Sequence, residues 1–453
     1  MVRDAAPSIV PGRRNLVVGL GRTGYSCADY LGRHGEQFAV TDSRADPPEL
    51  ARFLTRWPDA PRYLGGLEPV LAAQFERLVL SPGVARSEPL VQAALAHGVP
   101  VVGDVELFAR VKRAPAVGIT GTNGKSTVTA LVAAMANAAG RSARPGGNFG
   151  DCVLDMLEPA EPELYVLELS SFQLEYTESL ELAAATVLNV APDHLDRYPS
   201  IEEYAAAKAR IFRHAMTAVV NVDDPGVAAM PPRGAPVSGF SPSGGAAEWT
   251  LLTAGREEYL ARRTGSSSQP LLSTRRLRLT GRHNAGNALA ALALGAAIGL
   301  PLPAMLGALE SFAGLPHRTE CVAERRGVRY LDDSKGTNVA ATMAAVAGLA
   351  GPIVLVAGGL GKGQDFSPLA ALTNKVRHAV LIGRDAPLLA RALRNACPVE
   401  FASDMTAAVA AAARVAESGD LVLLSPACAS QDMFRDYAER GAAFAAAARA
   451  LPA

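Results

Sequence analysis

"AVGITGTNGKSTVTALVAAM", residues 116–135, reads as a buried-strand pattern, a glycine loop and then an amphipathic helix. Backbone N–H groups from Gly121 through Thr122, Asn123 and Gly124 to Lys125, with the helix N-terminus behind them, are built to surround phosphate oxygens. Lys125 places a charge on the β/γ groups, and the Ser126 hydroxyl suits a magnesium ion. The strict phosphate-loop pattern places a glycine five residues before Gly124, where this chain has Ile119, so the loop is a variant. Strand, loop and helix still coincide, and the stretch predicts nucleoside-triphosphate binding, with Thr127 and Thr129 opening the helix.

A second glycine motif lies upstream. "VVGLGRTGYS", residues 17–26, holds Gly19, Gly21 and Gly24 straight after an apolar run, and Asp42 follows about 20 residues on, as in a dinucleotide fingerprint. A complete dinucleotide fold takes about 150 residues or more. Here the second phosphate loop begins near residue 118, leaving room for about half that architecture. The expectation is therefore one nucleotide and not two, against the competing reading of a nicotinamide-dependent dehydrogenase.

The chain has 453 residues, enough for several domains. Lysine plus arginine and aspartate plus glutamate each number 44, so no net field points to nucleic acid or an acidic membrane surface. Apolar runs are too short for a membrane span of about 20 residues. "MVRDAAPSIVPGRR" carries no signal-peptide core, which predicts a cytoplasmic protein without membrane insertion. Cys27, Cys152, Cys321, Cys397 and Cys428 are scattered and without a CxxC pair, and are expected to be reduced core thiols.

Strand-like runs alternate with helical patterns, predicting α/β domains with mainly parallel sheets. The expected division is 1–103, a Rossmann-like nucleotide-binding domain; 104–314, a central ATPase domain with the phosphate loop; and 315–453, a Rossmann-like C-terminal domain. Residues 225–275, rich in Pro, Gly and Ser, read as a small antiparallel excursion with flexible turns.

Polar residues gather where strands end. Glu168, at the end of "YVLELSS", is a metal ligand or an ordinary paired acid, since a charge in a buried strand needs one or the other. "NVAPDHLDRY" carries Asp193, His194, Asp196 and Arg197 in a loop, where a histidine is more often a plain hydrogen-bonding residue. Lys208, among alanines on a helix, reads by itself as a solvated lysine. Further along come "GLPHRTE", "YLDDSKGTN", "AGGLGKGQDF" and "LLSPACASQDMF", each weak alone and together one polar face directed at the phosphate loop.

These stretches, with "GRHNAGNALAA", resemble in order and spacing the Mur ligases of bacterial cell-wall synthesis, over essentially the whole chain. The N-terminal "GLGRTG", "TDSR" and "SPG" resemble the branch whose substrates are UDP-N-acetylmuramoyl-L-alanine and D-glutamate. A folylpolyglutamate synthetase would share the loop and the lysine but not those N-terminal motifs, and a non-enzymatic scaffold would not need Lys125, Glu168, His194 and Lys208 together. The resemblance implies ATP-dependent amide-bond formation: the alanine carboxylate attacks the γ-phosphate, ADP leaves, and the glutamate amine attacks the acyl phosphate through a tetrahedral intermediate. It also implies two magnesium ions, held by Ser126 and Glu168 and by His194. It makes Lys208 a CO2-derived carbamate and a metal ligand, reversing its reading as a solvated lysine.

By the same resemblance Asn287, Arg318 and Asp333 contact adenine, phosphate and ribose. Gly21, Arg22, Thr23, Asp42, Ser43, Arg44, Ser81, Pro82, Gly83 and Asn148 line the UDP-sugar site. Lys335, Thr337, Lys362, Ser430 and Tyr437 hold glutamate. The protein is expected to act as a monomer, with the second and third domains closing about a hinge near residue 315.

Overall fold

The computed structural model describes residues 15–195, 197–279 and 281–452. The N-terminal stretch read for targeting and Asp196 lie outside them. Three sheets follow one another along the chain. The first holds β1 (Asn15–Val18), β2 (Phe38–Asp42), β3 (Arg62–Leu64), β4 (Arg77–Leu80) and β5 (Val101–Gly103), all parallel, in the order β3-β2-β1-β4-β5. That order is the dinucleotide-binding order less one strand, which corrects the expectation of about half that fold. Strands of three residues and a 3-10 segment, Pro69–Gln74, in place of a full crossover helix make the compression possible.

The second sheet holds β6 (Ala116–Thr120), β7 (Ala143–Gly147), β8 (Leu164–Glu168), β9 (Ala184–Val187), β10 (Ala218–Asn221), β11 (Val237–Ser241), β12 (Trp249–Ala254), β13 (Glu257–Thr264) and β14 (Ser267–Ser273). Its order is β14-β13-β12-β11-β10-β9-β6-β8-β7. Residues 225–275 are thus no separate excursion. β11 and β12 continue the sheet in parallel, and only β13 and β14 are antiparallel. Val117 and Ile119 of β6 pack on Val128, Leu131, Val132 and Met135 of the helix Lys125–Ala138, all fully buried, which fixes the phosphate loop between strand and helix. The alanine-rich helix Arg282–Ala297 covers the same core, its Ala288–Leu294 segment inaccessible to solvent.

The third sheet holds β15 (Glu320–Arg325), β16 (Val328–Asp332), β17 (Ile353–Gly358), β18 (Val376–Ile382), β19 (Val399–Phe401) and β20 (Leu421–Leu424), ordered β15-β16-β20-β17-β18-β19. It is parallel apart from the β15–β16 hairpin, turned at Arg326 and Gly327, both with positive φ. Among the described residues no helix is long and apolar enough to cross a membrane. All five cysteines are free; four are buried, but Cys321, on the edge strand β15, is exposed and is not a core thiol.

Candidate active site

In the first sheet the strand order reverses between β1 and β4, and the loops after both strands open on one groove. A cavity of about 590 Å³ is lined there by Gly21, Arg22, Thr23, Asp42, Ser43, Arg44, Ser81, Pro82, Gly83 and Asn148. All ten residues expected at the UDP-sugar site are therefore together. A Cβ on Gly24 would lie 1.8 Å from the Gly19 carbonyl oxygen, so helix and loop touch backbone to backbone. Asp42 is not a free acid: its carboxylate accepts from Leu20 N at 2.7 Å and from Arg44 N, Nε and Nη2 at 2.8–2.9 Å. Burial pushes its pKa up, but these donors outweigh it and the net shift is downward. Asp42 holds Arg44 at the groove's edge. Gly147, Asn148, Gly150 and Cys152, from the central domain, close the far side.

Asn148 joins this groove to the phosphate loop. Its Nδ2 donates to Glu168 Oε1 at 2.7 Å, while Ser126 Oγ donates to Glu168 Oε2 at 2.5 Å. Burial opposes ionisation of Glu168, but the Lys125 charge and the two hydrogen bonds prevail, holding its pKa below the ordinary value. Lys125 folds over the loop, donating to Gly121 O at 2.9 Å and Thr122 O at 2.8 Å. Gly121 and Gly124 have φ of 147° and 85°, which only glycine adopts without strain.

Lys208 is 1% exposed. Its Nζ donates to Gly121 O at 3.0 Å and lies 4.3 Å from the centroid of the Tyr204 ring. Burial, followed by the charge of Lys125, lowers its pKa well below that of an ordinary lysine. His194 sits in the left-handed region, φ 56°, edge-on to Phe172. Burial carries its pKa down to about 4 against the opposing pull of Asp193, so at neutral pH it is an imidazole with a free lone pair. Arg197, on the same loop, donates to Gly83 O and Val84 O and stacks on Phe172, tying the His194 loop to the first domain.

The third domain reaches the same place. Arg318 Nη2 donates to Ser126 Oγ at 2.7 Å. A cleft of about 340 Å³ is lined by Asn123, Gly124, Thr127, Asn287, Arg318, Asp333 and Lys335. Asn287 Oδ1 lies 2.4 Å from where a Cβ on Gly124 would stand, so it abuts the phosphate loop itself. Asp333 accepts from Ser425 Oγ at 2.8 Å, and burial pushes its pKa up to about 7. The Lys335 ammonium lies 3.8 Å from the centroid of the Tyr437 ring. Burial, and then the Arg318 charge, bring its pKa down to about 8. Thr337 follows on the same loop, its N–H bonded to Lys335 O. Lys362, in the third domain, pairs with Asp193 of the second at 3.3 Å. Ser430 Oγ is buried without a hydrogen-bond partner among the described residues, and a backbone bridge between Leu360 and Ala429 brings its segment beside that of Lys362.

Residues 13–103 match the Mur ligase MurD-like N-terminal domain, 119–295 the Mur ligase middle domain and 317–428 the Mur ligase glutamate ligase domain. UDP-N-acetylmuramoylalanine–D-glutamate ligase from Nitrosococcus oceani is 52% identical over 441 residues, covering 96% of each chain. The chain belongs to the Mur ligase family. Enzymes of the same name from Methylococcus capsulatus and Marinobacter nauticus are 49% and 48% identical, covering 97% and 96% of this chain and 95% and 98% of their own. Among solved structures, the MurF ligase of Thermotoga maritima in complex with ADP superposes on this Mur ligase with a TM-score of 0.62 at 17% identity, covering 97% of this chain and 95% of its own. UDP-N-acetylmuramate-alanine ligase of the same organism gives 0.60 at 18%, covering 96% and 98%. Both share the three-domain fold.

Two site residues of this Mur ligase escaped the sequence reading. Asn189 brackets the phosphate loop, its Oδ1 accepting from Asn123 N at 2.9 Å and its Nδ2 donating to Asn123 O at 3.1 Å. Gln173 lines the N-terminal groove and donates to buried Asp104 at 3.0 Å. Asn189 ends the "TVLNV" run, and an asparagine closing an apolar strand was the available signal.

Proposed function

We propose that this Mur ligase joins D-glutamate to UDP-N-acetylmuramoyl-L-alanine at the expense of ATP, in cytoplasmic peptidoglycan precursor synthesis and as a monomer. The observation that carries the reading is the chain of contacts from the N-terminal groove through Asn148 to Glu168 and Ser126, and on to Arg318. A sugar nucleotide in the first domain, a triphosphate in the second and an amino acid in the third then meet at one point. The near-full-length identity to ligases of that name supports the same substrates.

The reaction brings a carboxylate up to a triphosphate, and the residues offset that repulsion. Lys125 and Arg318 supply fixed positive charge beside the transferred group. A hydroxyl and an ionised carboxylate at Ser126 and Glu168 suit magnesium, and the neutral imidazole of His194 offers a nitrogen lone pair to a second ion. Two such ions would supply further charge neutralisation. Lys208 is suited to carbamylation because its depressed pKa favours the free amine, whose lone pair forms the N–C bond to CO2 with loss of a proton. The product is an anion where the sequence places a cation. Lys335, Thr337, Lys362, Ser430 and Tyr437 form the glutamate pocket, two cations and an unpartnered hydroxyl facing a dicarboxylate.

Phosphate release from ATP, with UDP-N-acetylmuramoyl-L-alanine and either D- or L-glutamate, tests the assignment. Release dependent on both the sugar nucleotide and D-glutamate is expected. No release with either isomer overturns the reading, and release with L-glutamate alone replaces its stereochemistry.

A further inference from the structure

Asn338 stands where three segments meet. It is 3% exposed and caps the helix Val339–Gly348, its Oδ1 accepting from Ala341 N at 2.8 Å. Its Nδ2 donates to Asp193 Oδ2 at 3.2 Å and lies 3.3 Å from Asn123 Oδ1, while Asn123 Nδ2 lies 3.4 Å from Asn338 Oδ1. Asn123 belongs to the phosphate loop and is held there by Asn189. Asp193 Oδ1 accepts from His194 N at 2.9 Å and from Lys362 Nζ at 3.3 Å. One carboxamide of the third domain therefore touches the nucleotide loop and the His194 loop of the second. It lies in the same loop as Lys335 and Thr337 and shares its carboxylate partner with Lys362.

A helix cap needs only the oxygen of this side chain. The nitrogen does a separate job, and its partners lie 145 and 215 residues away across the domain boundary. We propose that Asn338 is a positioning residue, a latch that registers the phosphate loop against the Asp193–Lys362 pair, so that nucleotide occupancy and assembly of the glutamate pocket are coupled through one amide. The inference rests on the ligase reading for its glutamate arm only. Coupling of this kind is reciprocal: whatever glutamate gains from bound nucleotide, nucleotide gains from bound glutamate.

The test separates cap from latch. Asn338→Ser retains a capping oxygen but is too short to reach Asp193 or Asn123. Asn338→Asp retains the cap and sets a second carboxylate against Asp193. Asn338→Ser should leave the unfolding temperature unchanged, and Asn338→Asp should lower it by the repulsion between the two carboxylates. In Asn338→Ser the KM for glutamate should rise about tenfold, the effect of losing a hydrogen bond to a charged acceptor, with the KM for the sugar nucleotide unmoved. X-ray scattering with MgADP alone should give a larger radius of gyration for both variants than for the unsubstituted protein. Combining Asn338→Asp with Asp193→Asn, which restores a donor–acceptor pair, should return it to the compact value. Unchanged KM values and scattering overturn the latch, as does an equal rise in every KM with a lowered unfolding temperature in Asn338→Ser. Because the scattering arm needs no turnover, an inactive parent enzyme would overturn the ligase reading while the latch was still decided.

Discussion

The Lys208 amine hydrogen-bonds the Gly121 carbonyl oxygen at 3.0 Å, which sets a buried lysine against the first residue of the phosphate loop. An amine held there, with its pKa depressed by burial and by Lys125, meets the chemical requirement for addition to CO2.

Lys208→Ala should therefore reduce phosphate release by more than about 100-fold, beyond the range seen when only an outer-shell partner of a metal ligand is lost. Short-chain carboxylic acids should restore part of the rate by entering the space the side chain leaves. Full activity in the alanine variant would show that no metal ligand is needed at this position.

Glu168 and Asn148 should separate by magnitude. Glu168→Gln keeps the shape but removes the anion, and turnover should fall by more than about 100-fold. Asn148→Ala leaves the carboxylate but frees it to rotate, and should cost about tenfold. Because Asn148 also lines the groove proposed for the sugar nucleotide, its variant should raise the KM for that substrate as well as the magnesium requirement. A magnesium titration of phosphate release for both variants makes the comparison. An unaltered magnesium response in Glu168→Gln would remove this residue from the metal site.

What the sequence made legible was local. The strand, glycine loop and helix of residues 116–138 announce themselves because each part is specified by neighbours in the chain. β7, "ARPGG", does not, because its proline and glycines read as a turn and are tolerated only at a sheet edge. The five strands of the first sheet exceed the expected half of a dinucleotide fold for a related reason, since the three-residue strand β3, "RYL", carries no period. Burial of Lys208 depends on Tyr204 and on a carbonyl 87 residues away, so the alanines around it pointed to solvent. Asp42 kept the sequence position of a ribose clamp, while Arg44, two residues on, occupies its carboxylate.

The glycines of the first loop should divide in the same experiment. A methyl group on Gly24 would meet the Gly19 carbonyl, and Gly24→Ala should destabilise the protein by about 3 kcal/mol in denaturant unfolding. A Cβ on Gly21 meets nothing within 4 Å, and its φ of −89° is open to any residue. Gly21→Ala should unfold like the parent and show its cost only as a raised KM for the sugar nucleotide. Equal stability of the two variants would contradict the backbone contact.

The last prediction concerns Asp333, whose folded-state pKa of about 7 stands above an unfolded value near 3.8. Between these values the native protein holds a proton that the unfolded chain has released. The stability this group contributes is complete below about pH 4 and is lost as pH rises through about 7. Asp333→Asn removes that titration. The stability of the variant relative to the parent should therefore rise from pH 4 to 7, with a limiting slope of about 1.4 kcal/mol per pH unit, and level off above. His194 has the opposite sign. Its depressed pKa means that the unfolded chain takes up the proton first, so native stability falls as pH drops from about 6.5 towards 4. The two effects offset each other in the parent across much of that window, and only the difference between parent and variant isolates Asp333. Urea unfolding of both proteins at pH 5, 6, 7 and 8 measures it, and parallel curves would mean that Asp333 is ionised throughout.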